Sequence, residues 1–165
     1  MNSFDIKIQY DFAVKLVVLD WSFIHFGIKN GFFDESVAIE YAISEVEDGK
    51  VTFDKVLEIS FLLKGESVFP FIEELASSEC VHEDELKEKL LFIIMQWLFD
   101  TRQEFEDPLG MVEEIYADFD YPEKIATIVR YMPGSEGETG FGEDNLELRW
   151  IEYLAEACVE YGREK

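Results

Sequence analysis

Basic residues are scarce in this sequence: 14 Lys and Arg stand against 37 Asp and Glu, which leaves a net charge of −23 at neutral pH. Phosphate backbones and anionic lipids repel such a chain, so this balance counts against nucleic acid and membranes as partners. It favours a basic protein as the partner. The alternative is that the acidity only keeps the protein dissolved or suits a salty habitat, since net charge governs solubility as well as association.

Cysteine is also scarce, and the sequence has no extended apolar run. Cys80 and Cys158 are far apart and form no CxxC motif, so we expect two small buried hydrophobic residues in a reducing compartment. The N-terminus lacks the basic and apolar regions of a signal peptide. No stretch reaches the roughly 20 apolar residues that span a bilayer. The sequence therefore predicts a cytoplasmic protein.

Little in the sequence could carry catalysis. The two histidines, His25 and His82, are far apart, and neither is next to a plausible nucleophile. The glycine-rich segment Gly134–Asp144 contains acids and no lysine, which is the wrong charge for a phosphate site. We therefore predict no enzyme activity, no cofactor and no metal. A hydrolase with a carboxylate metal site remains an alternative, with hard oxygen ligands from Glu113, Glu114, Asp118 and Asp120.

Apolar side chains, in contrast, are abundant, and they are densest between Leu86 and Phe99. If this segment is helical, its apolar residues cover every side of the helix, and Gln96 is the only polar residue after Leu90. A helix that is apolar all round must be covered on all sides, which predicts the central helix of a bundle. A buried strand is the alternative, but the charged turn before Leu86 favours the helix.

Capping residues divide the rest of the chain into further helices. Asp20 precedes a predicted helix Trp21–Lys29, and Asp107 followed by proline is a strong helix start. Apolar and polar residues alternate from residue 4 to residue 12, a period that leaves strand and helix both open for this segment. The prediction is a mainly α, single-domain bundle over residues 1–165, with about seven to eight helices and a possible short N-terminal strand. Further helix starts are predicted at Asp34, Thr52, Ser67, Pro122 and Asn145.

The most acidic segment runs from Glu104 to Glu123 and contains eight acids and no base. Apolar residues at 3-4-3 spacing predict a buried stripe on the helix that follows Pro108. Acids on the opposite side project outward, where they either solvate the surface or form a negative patch that binds a cationic partner. Tyrosine is enriched at the centres of such interfaces. The predicted partner-binding residues are Glu113, Glu114, Asp118, Asp120, Tyr121 and Tyr131.

The run from Glu106 to Pro133 contains Val-Glu-Glu-Ile-Tyr-Ala-Asp-Phe-Asp-Tyr-Pro-Glu, and it resembles a family of small acidic bacterial proteins of unassigned biochemical function. The segment from Leu19 to Phe32 is also similar to that family. Its members resemble immunity proteins that are encoded beside secreted toxins, including those of contact-dependent growth inhibition. The resemblance implies a helical fold and a cytosolic, partner-binding role, and it supplies no catalytic residues.

Together, charge and resemblance lead to the hypothesis of an immunity protein. It would bind and neutralise a cognate cationic toxin domain, and a nuclease is favoured because a nuclease must present Lys and Arg to hold phosphates. The acidic segment Gly134–Asp144 could become ordered on binding. An alternative of a different class is a nucleic-acid mimic or regulator that sequesters a basic host protein.

Overall fold

Helices make up most of the chain in the computed structural model, which describes residues 4–49, 59, 67, 69–77, 79, 81–129 and 143–162. These residues contain no strand, and a single parallel bridge joins Ile8 and Phe33. The predicted mainly α fold is confirmed. The helices of these ranges are α1 (Tyr10–Leu16), α2 (Trp21–Lys29), α3 (Glu35–Glu47), α4 (Phe69–Ser77), α5 (Glu83–Thr101), α6 (Pro108–Asp118), α7 (Glu123–Ala126) and α8 (Glu143–Tyr161), with a 3-10 turn Arg102–Glu104 after α5.

Helix α5 lies at the centre of the core, as its sequence predicts. Six consecutive residues from Leu90 to Met95 are buried, so the helix is covered on every side. Helices α2, α6 and α8 pack against it. Trp150 of α8 also donates an Nε1–H hydrogen bond to the carbonyl of Met95 at 3.2 Å. Neither α5 nor any other helix in the described ranges is long and apolar enough to cross a membrane.

Between residues 4 and 9, the N-terminal segment forms no helix. Ile6 and Ile8 are buried between exposed neighbours, as the alternating pattern predicts. The N–H of Ile8 donates to the carbonyl of Phe32 at 2.8 Å, and this bond forms the parallel bridge. From Tyr10 onward the backbone groups are paired within α1 instead. The alternating pattern therefore predicts the buried isoleucines correctly but does not extend as a strand to residue 12.

Three helices begin where capping residues predict. The carboxylates of Asp20, Asp34 and Asp107 each accept a backbone N–H hydrogen bond from the first turn of the following helix. Each bond satisfies a donor that has no partner within the helix itself. Helix α2 ends at Lys29, and Gly31 follows with a φ of +83°. The bounds of α2 agree with the prediction from the sequence.

Two predictions about single residues are wrong. Asn145 does not cap the last helix, because α8 begins two residues earlier, at Glu143, and Asn145 lies in its first turn. Cys158 is not a buried hydrophobic residue, since it is exposed on α8 as a free thiol. Three other predicted features lie outside the described residues: the helix after Thr52, Cys80, and the glycine-rich segment up to Gly142.

Candidate functional site

Helix α6 carries acids that the sequence predicts to bind a partner, and its packing determines how far they are exposed. Its apolar side, which includes Val112 and Ile115, is buried in the core. Glu114 lies away from that side and is exposed, whereas Glu113 and Asp118 are half-buried. The outward side of α6 is therefore acidic, and Glu114 is the most accessible of its three predicted binding residues.

Helix α6 is followed by a turn in which two consecutive residues adopt the left-handed region. Asp120 has a φ of 61° and Tyr121 a φ of 59°. The N–H of Tyr121 donates to the carbonyl of Tyr116 at 2.8 Å and closes the turn. Asp adopts the left-handed region more readily than other residues with a Cβ, but for Tyr121 this region costs roughly 1–2 kcal/mol. Because strained backbone of this kind is concentrated at binding and catalytic sites, the turn is a candidate functional element.

The strained turn presents Tyr121 to solvent. About two-thirds of this residue is exposed (65%). Its ring contacts the ring of Tyr116 edge-on, with 5.2 Å between the centroids and 78° between the planes. Such a contact orients the phenol ring without burying it. Tyr121 is thus an exposed aromatic residue whose ring is held in one orientation. Tyrosines are among the residues that contribute most binding energy at interfaces.

Asp120, beside Tyr121, is paired within the molecule. Lys87 of α5 donates a hydrogen bond to its carboxylate, so the turn is tied to the central helix. The Asp120 side chain is nevertheless exposed at this ion pair. Sequence reasoning placed Asp120 on the acidic surface but did not identify Lys87 as its partner. Part of the charge of Asp120 is therefore already balanced before any partner binds.

A groove of about 340 Å³ lies beside the turn, between α5, α7 and α8. Lys124 spans it, with its Nζ 3.0 Å from a carboxylate oxygen of Glu88 and 3.1 Å from one of Glu160. The hydroxyl of Tyr161 donates to the same Glu88 oxygen. The groove thus already holds an ammonium group between two carboxylates. Glu123 and Glu156 also line it and leave its charge negative.

These contacts favour the ionised forms of Glu88 and Lys124. The hydrogen bond from Tyr161, together with Lys124, lowers the pKa of Glu88, although burial acts in the opposite direction. Burial lowers the pKa of Lys124, but its bonds to Glu88 and Glu160 outweigh that effect and leave its pKa raised. The groove therefore retains a fixed negative charge that can hold a cationic side chain.

A second cleft, of about 390 Å³, lies between α2 and α4. Glu79 accepts hydrogen bonds from the N–H of Ser22 at 2.7 Å and from its hydroxyl at 3.1 Å. His25 lines the cleft with a buried Nε2, and burial together with the charge of Lys29 lowers its pKa. Because Glu79 accepts the backbone N–H of Ser22 as well as its hydroxyl, these bonds link the first turn of α2 to the segment after α4.

In the part of the chain that the structure describes, no three His, Cys, Asp or Glu side chains are grouped so that they could hold a metal ion. All four acids of the hydrolase alternative lie in that part, and one of them, Asp120, is paired with Lys87. Tyr131, the remaining predicted anchor, lies outside the described residues. The predicted surface therefore consists, as far as it is described, of the acids of α6 and the turn that carries Tyr121.

Comparison with known proteins places the chain in a bacterial family. A family model described as an uncharacterized protein conserved in bacteria, DUF2247, matches residues 10–157. The match extends from the first residue of α1 to a point four residues before the end of α8. No curated protein and no solved structure matches the chain.

Proposed function

The chain belongs to DUF2247, a family of proteins conserved in bacteria, and we propose that this member is an immunity protein. It binds a cognate toxin domain of basic character in the cytoplasm and neutralises it. The binding surface is acidic and consists of the outward side of α6 and the turn that follows it. A nuclease is the favoured toxin, because its substrate groove must present Lys and Arg, and carboxylates can take the place of phosphates there.

The single observation that supports this proposal most is the exposed Tyr121 on a strained turn beside acidic residues. Tyrosine is among the residues that dominate binding energy at interfaces, especially where other contacts exclude water around it. A left-handed residue is common directly after a helix and Asp adopts this region readily, so Asp120 needs no special explanation. The left-handed conformation of Tyr121 is the unusual one, at a cost of roughly 1–2 kcal/mol. The strain is accounted for if the turn positions Tyr121 for a partner.

The charge of the chain supports the same proposal. A net charge of −23 attracts a basic partner over a distance, and such steering raises association rates by roughly 10- to 1000-fold. The groove beside the turn already binds one ammonium group, that of Lys124. Basic side chains of a toxin domain meet similar carboxylates along this edge of the molecule.

The proposal is tested by mixing the purified chain with the C-terminal domain of the protein encoded by the neighbouring reading frame. We expect a stable complex whose association rate falls steeply as salt increases, while the dissociation rate changes much less. Stopped-flow measurements at several salt concentrations give both rates. An association rate that does not depend on salt would contradict an acidic interface.

A matched pair of variants locates the surface. Glu114→Lys reverses an exposed charge on α6, and Glu47→Lys makes the same change at the end of α3. We expect the α6 variant to slow association and to reduce protection of cells that express the toxin domain, and the α3 variant to do so far less. Equal effects would place the interface elsewhere. Similar affinity for several unrelated basic proteins would indicate a nucleic-acid mimic instead.

A further inference from the structure

Helix α8 has an apolar face on each of two sides. The inward face is buried in the core and includes Leu146, Trp150 and Leu154. The outward face carries large apolar residues that remain exposed: 57% of Leu148, 44% of Ile151 and 89% of Val159. An amphipathic helix that only covers a core needs a single apolar stripe. The second stripe therefore calls for a different explanation.

The outward residues form a continuous row rather than a scatter. Leu148, Ile151, Ala155 and Val159 follow one another at spacings of three, four and four residues, which keeps them on one side of the helix, and all four are exposed. The other large exposed apolar residues of the described chain lie singly: Ile43 is on α3, and Val18 is in the connection between α1 and α2. Single exposed apolar residues are ordinary, but a contiguous patch marks an interaction site.

One border of this stripe is acidic. Glu152, Glu156 and Glu160 are all exposed, and each follows a stripe residue by one position. They therefore form a parallel row along one edge of the apolar stripe. Two copies of α8 packed face to face would bring some of these carboxylates together, since like charges across an interface oppose association. A partner with basic residues beside its own apolar stripe would instead be complementary to both rows.

We propose that the outward face of α8 binds an amphipathic helix of a partner protein, with an apolar stripe flanked by Lys or Arg. Apolar side chains spaced at one helical turn contact Leu148, Ile151 and Val159. The basic residues pair with Glu152 and Glu156, since Glu160 is already paired with Lys124. The apolar stripe lies on a different helix from Tyr121 and Glu114, although Glu156 and Glu160 of the acidic row also line the groove beside the turn. Because the stripe takes no part in the proposed immunity function, the inference goes beyond that function.

The test uses the full chain and two synthetic peptides of about 18 residues composed only of Leu and Lys. One peptide places its leucines at helical spacing, and the other has the same composition in an order that forms no stripe. We expect the ordered peptide to bind more tightly and to shift the methyl NMR signals of Leu148, Ile151 and Val159. Equal binding of both peptides would show attraction by charge alone and would overturn the proposal.

Variants make the test specific to this face. The double variant Leu148→Gln/Val159→Gln should bind the ordered peptide about tenfold more weakly, because two apolar contacts are lost. Val18→Gln removes an apolar residue elsewhere that is about as exposed as Leu148, and it should leave the affinity unchanged. An equal loss of peptide affinity in the double variant and in Val18→Gln would overturn the proposal. So would a dimer of the unmodified chain, seen by sedimentation, that the double variant abolishes, because the occupant would then be a second copy.

Discussion

Glu79 accepts two hydrogen bonds from Ser22, although 57 positions separate these residues along the chain. The bonds join the start of α2 to the segment before α5. Burial raises the pKa of Glu79, and the charge of Asp20 acts in the same direction, while the bonds from Ser22 partly oppose this shift. The folded protein therefore binds a proton at Glu79 more tightly than the unfolded chain does.

The direction of this pKa shift predicts how the effect of Glu79→Gln on stability depends on pH. The stability contributed by a protonated Glu79 is present below its ordinary pKa of 4.5 and is lost as pH rises through its higher folded pKa. Glutamine keeps an oxygen acceptor for Ser22 and does not ionise. As pH rises from 4.5 through the higher folded pKa, the free energy of unfolding should shift in favour of the variant. Urea unfolding at each pH measures the difference in unfolding free energy between the variant and the unmodified protein. Glu85→Gln is the control for the loss of one charge.

Tyr161→Phe tests a pKa shift in the opposite direction, the lowered pKa of Glu88. The Tyr161 hydroxyl is the main cause that lowers the pKa of Glu88, with Lys124 adding to it. A lowered pKa contributes stability that is present above the ordinary value of 4.5 and is lost as pH falls through the folded pKa. In the variant, the pKa of Glu88 should rise toward 4.5, as followed by NMR of its carboxyl carbon. An unchanged pKa would contradict the hydrogen bond.

Gly27→Ala should be strongly destabilising. A Cβ at this position would lie 2.2 Å from a ring carbon of Phe33, and that ring is buried in the core. Overpacking typically costs about 1–3 kcal/mol, and we expect the upper end because the ring has no room to move. Gly49→Ala provides the comparison. No atom lies within 4 Å of its Cβ position, but its φ is +69°, so only the backbone strain of a left-handed alanine, roughly 1–2 kcal/mol, is expected. Urea unfolding that ranks the two variants in the reverse order would contradict this packing.

Tyr121→Gly separates binding from folding at the proposed interface. Glycine relieves left-handed strain of roughly 1–2 kcal/mol. It also loses the ring contact with Tyr116, which contributes about 0.5–1.5 kcal/mol. The free energy of unfolding should therefore stay within about 1 kcal/mol of the unmodified protein. Affinity for the toxin domain should fall by about 30-fold or more if Tyr121 is an interface anchor. Isothermal calorimetry measures that affinity, and unchanged binding with unchanged stability would remove Tyr121 from the interface.

Helix starts and the central helix could be predicted from the sequence because they depend on residues close together in the chain. Asp20 caps α2 through a bond to a residue three positions away, and the same holds for Asp107 and α6. The burial of Leu90–Met95 follows from apolar residues on every side of one helix. The prediction for Asn145 was wrong because residue types that cap helices also occur inside the first turn. The sequence alone does not show which of the neighbouring acids and amides precedes the helix.

The candidate site could be predicted only in part. The acidic segment and its tyrosines are visible in the sequence, but Lys87, which pairs with Asp120, lies 33 positions away. The row from Leu148 to Val159 was missed, although its spacing is a signal that sequence reasoning could have used. Apolar spacing indicates that a helix has a face, but it does not say whether the rest of the chain covers that face.

By itself, the sequence therefore determined the helical class, several helix bounds, the buried centre and the surplus of negative charge. Only the tertiary structure decided which carboxylates are paired, which tyrosine is exposed and which of the two apolar faces of α8 is left uncovered. The physical reason is the distance along the chain over which each interaction acts. Capping and helical periodicity act within about four residues, whereas burial and ion pairing depend on segments that meet only when the chain has folded.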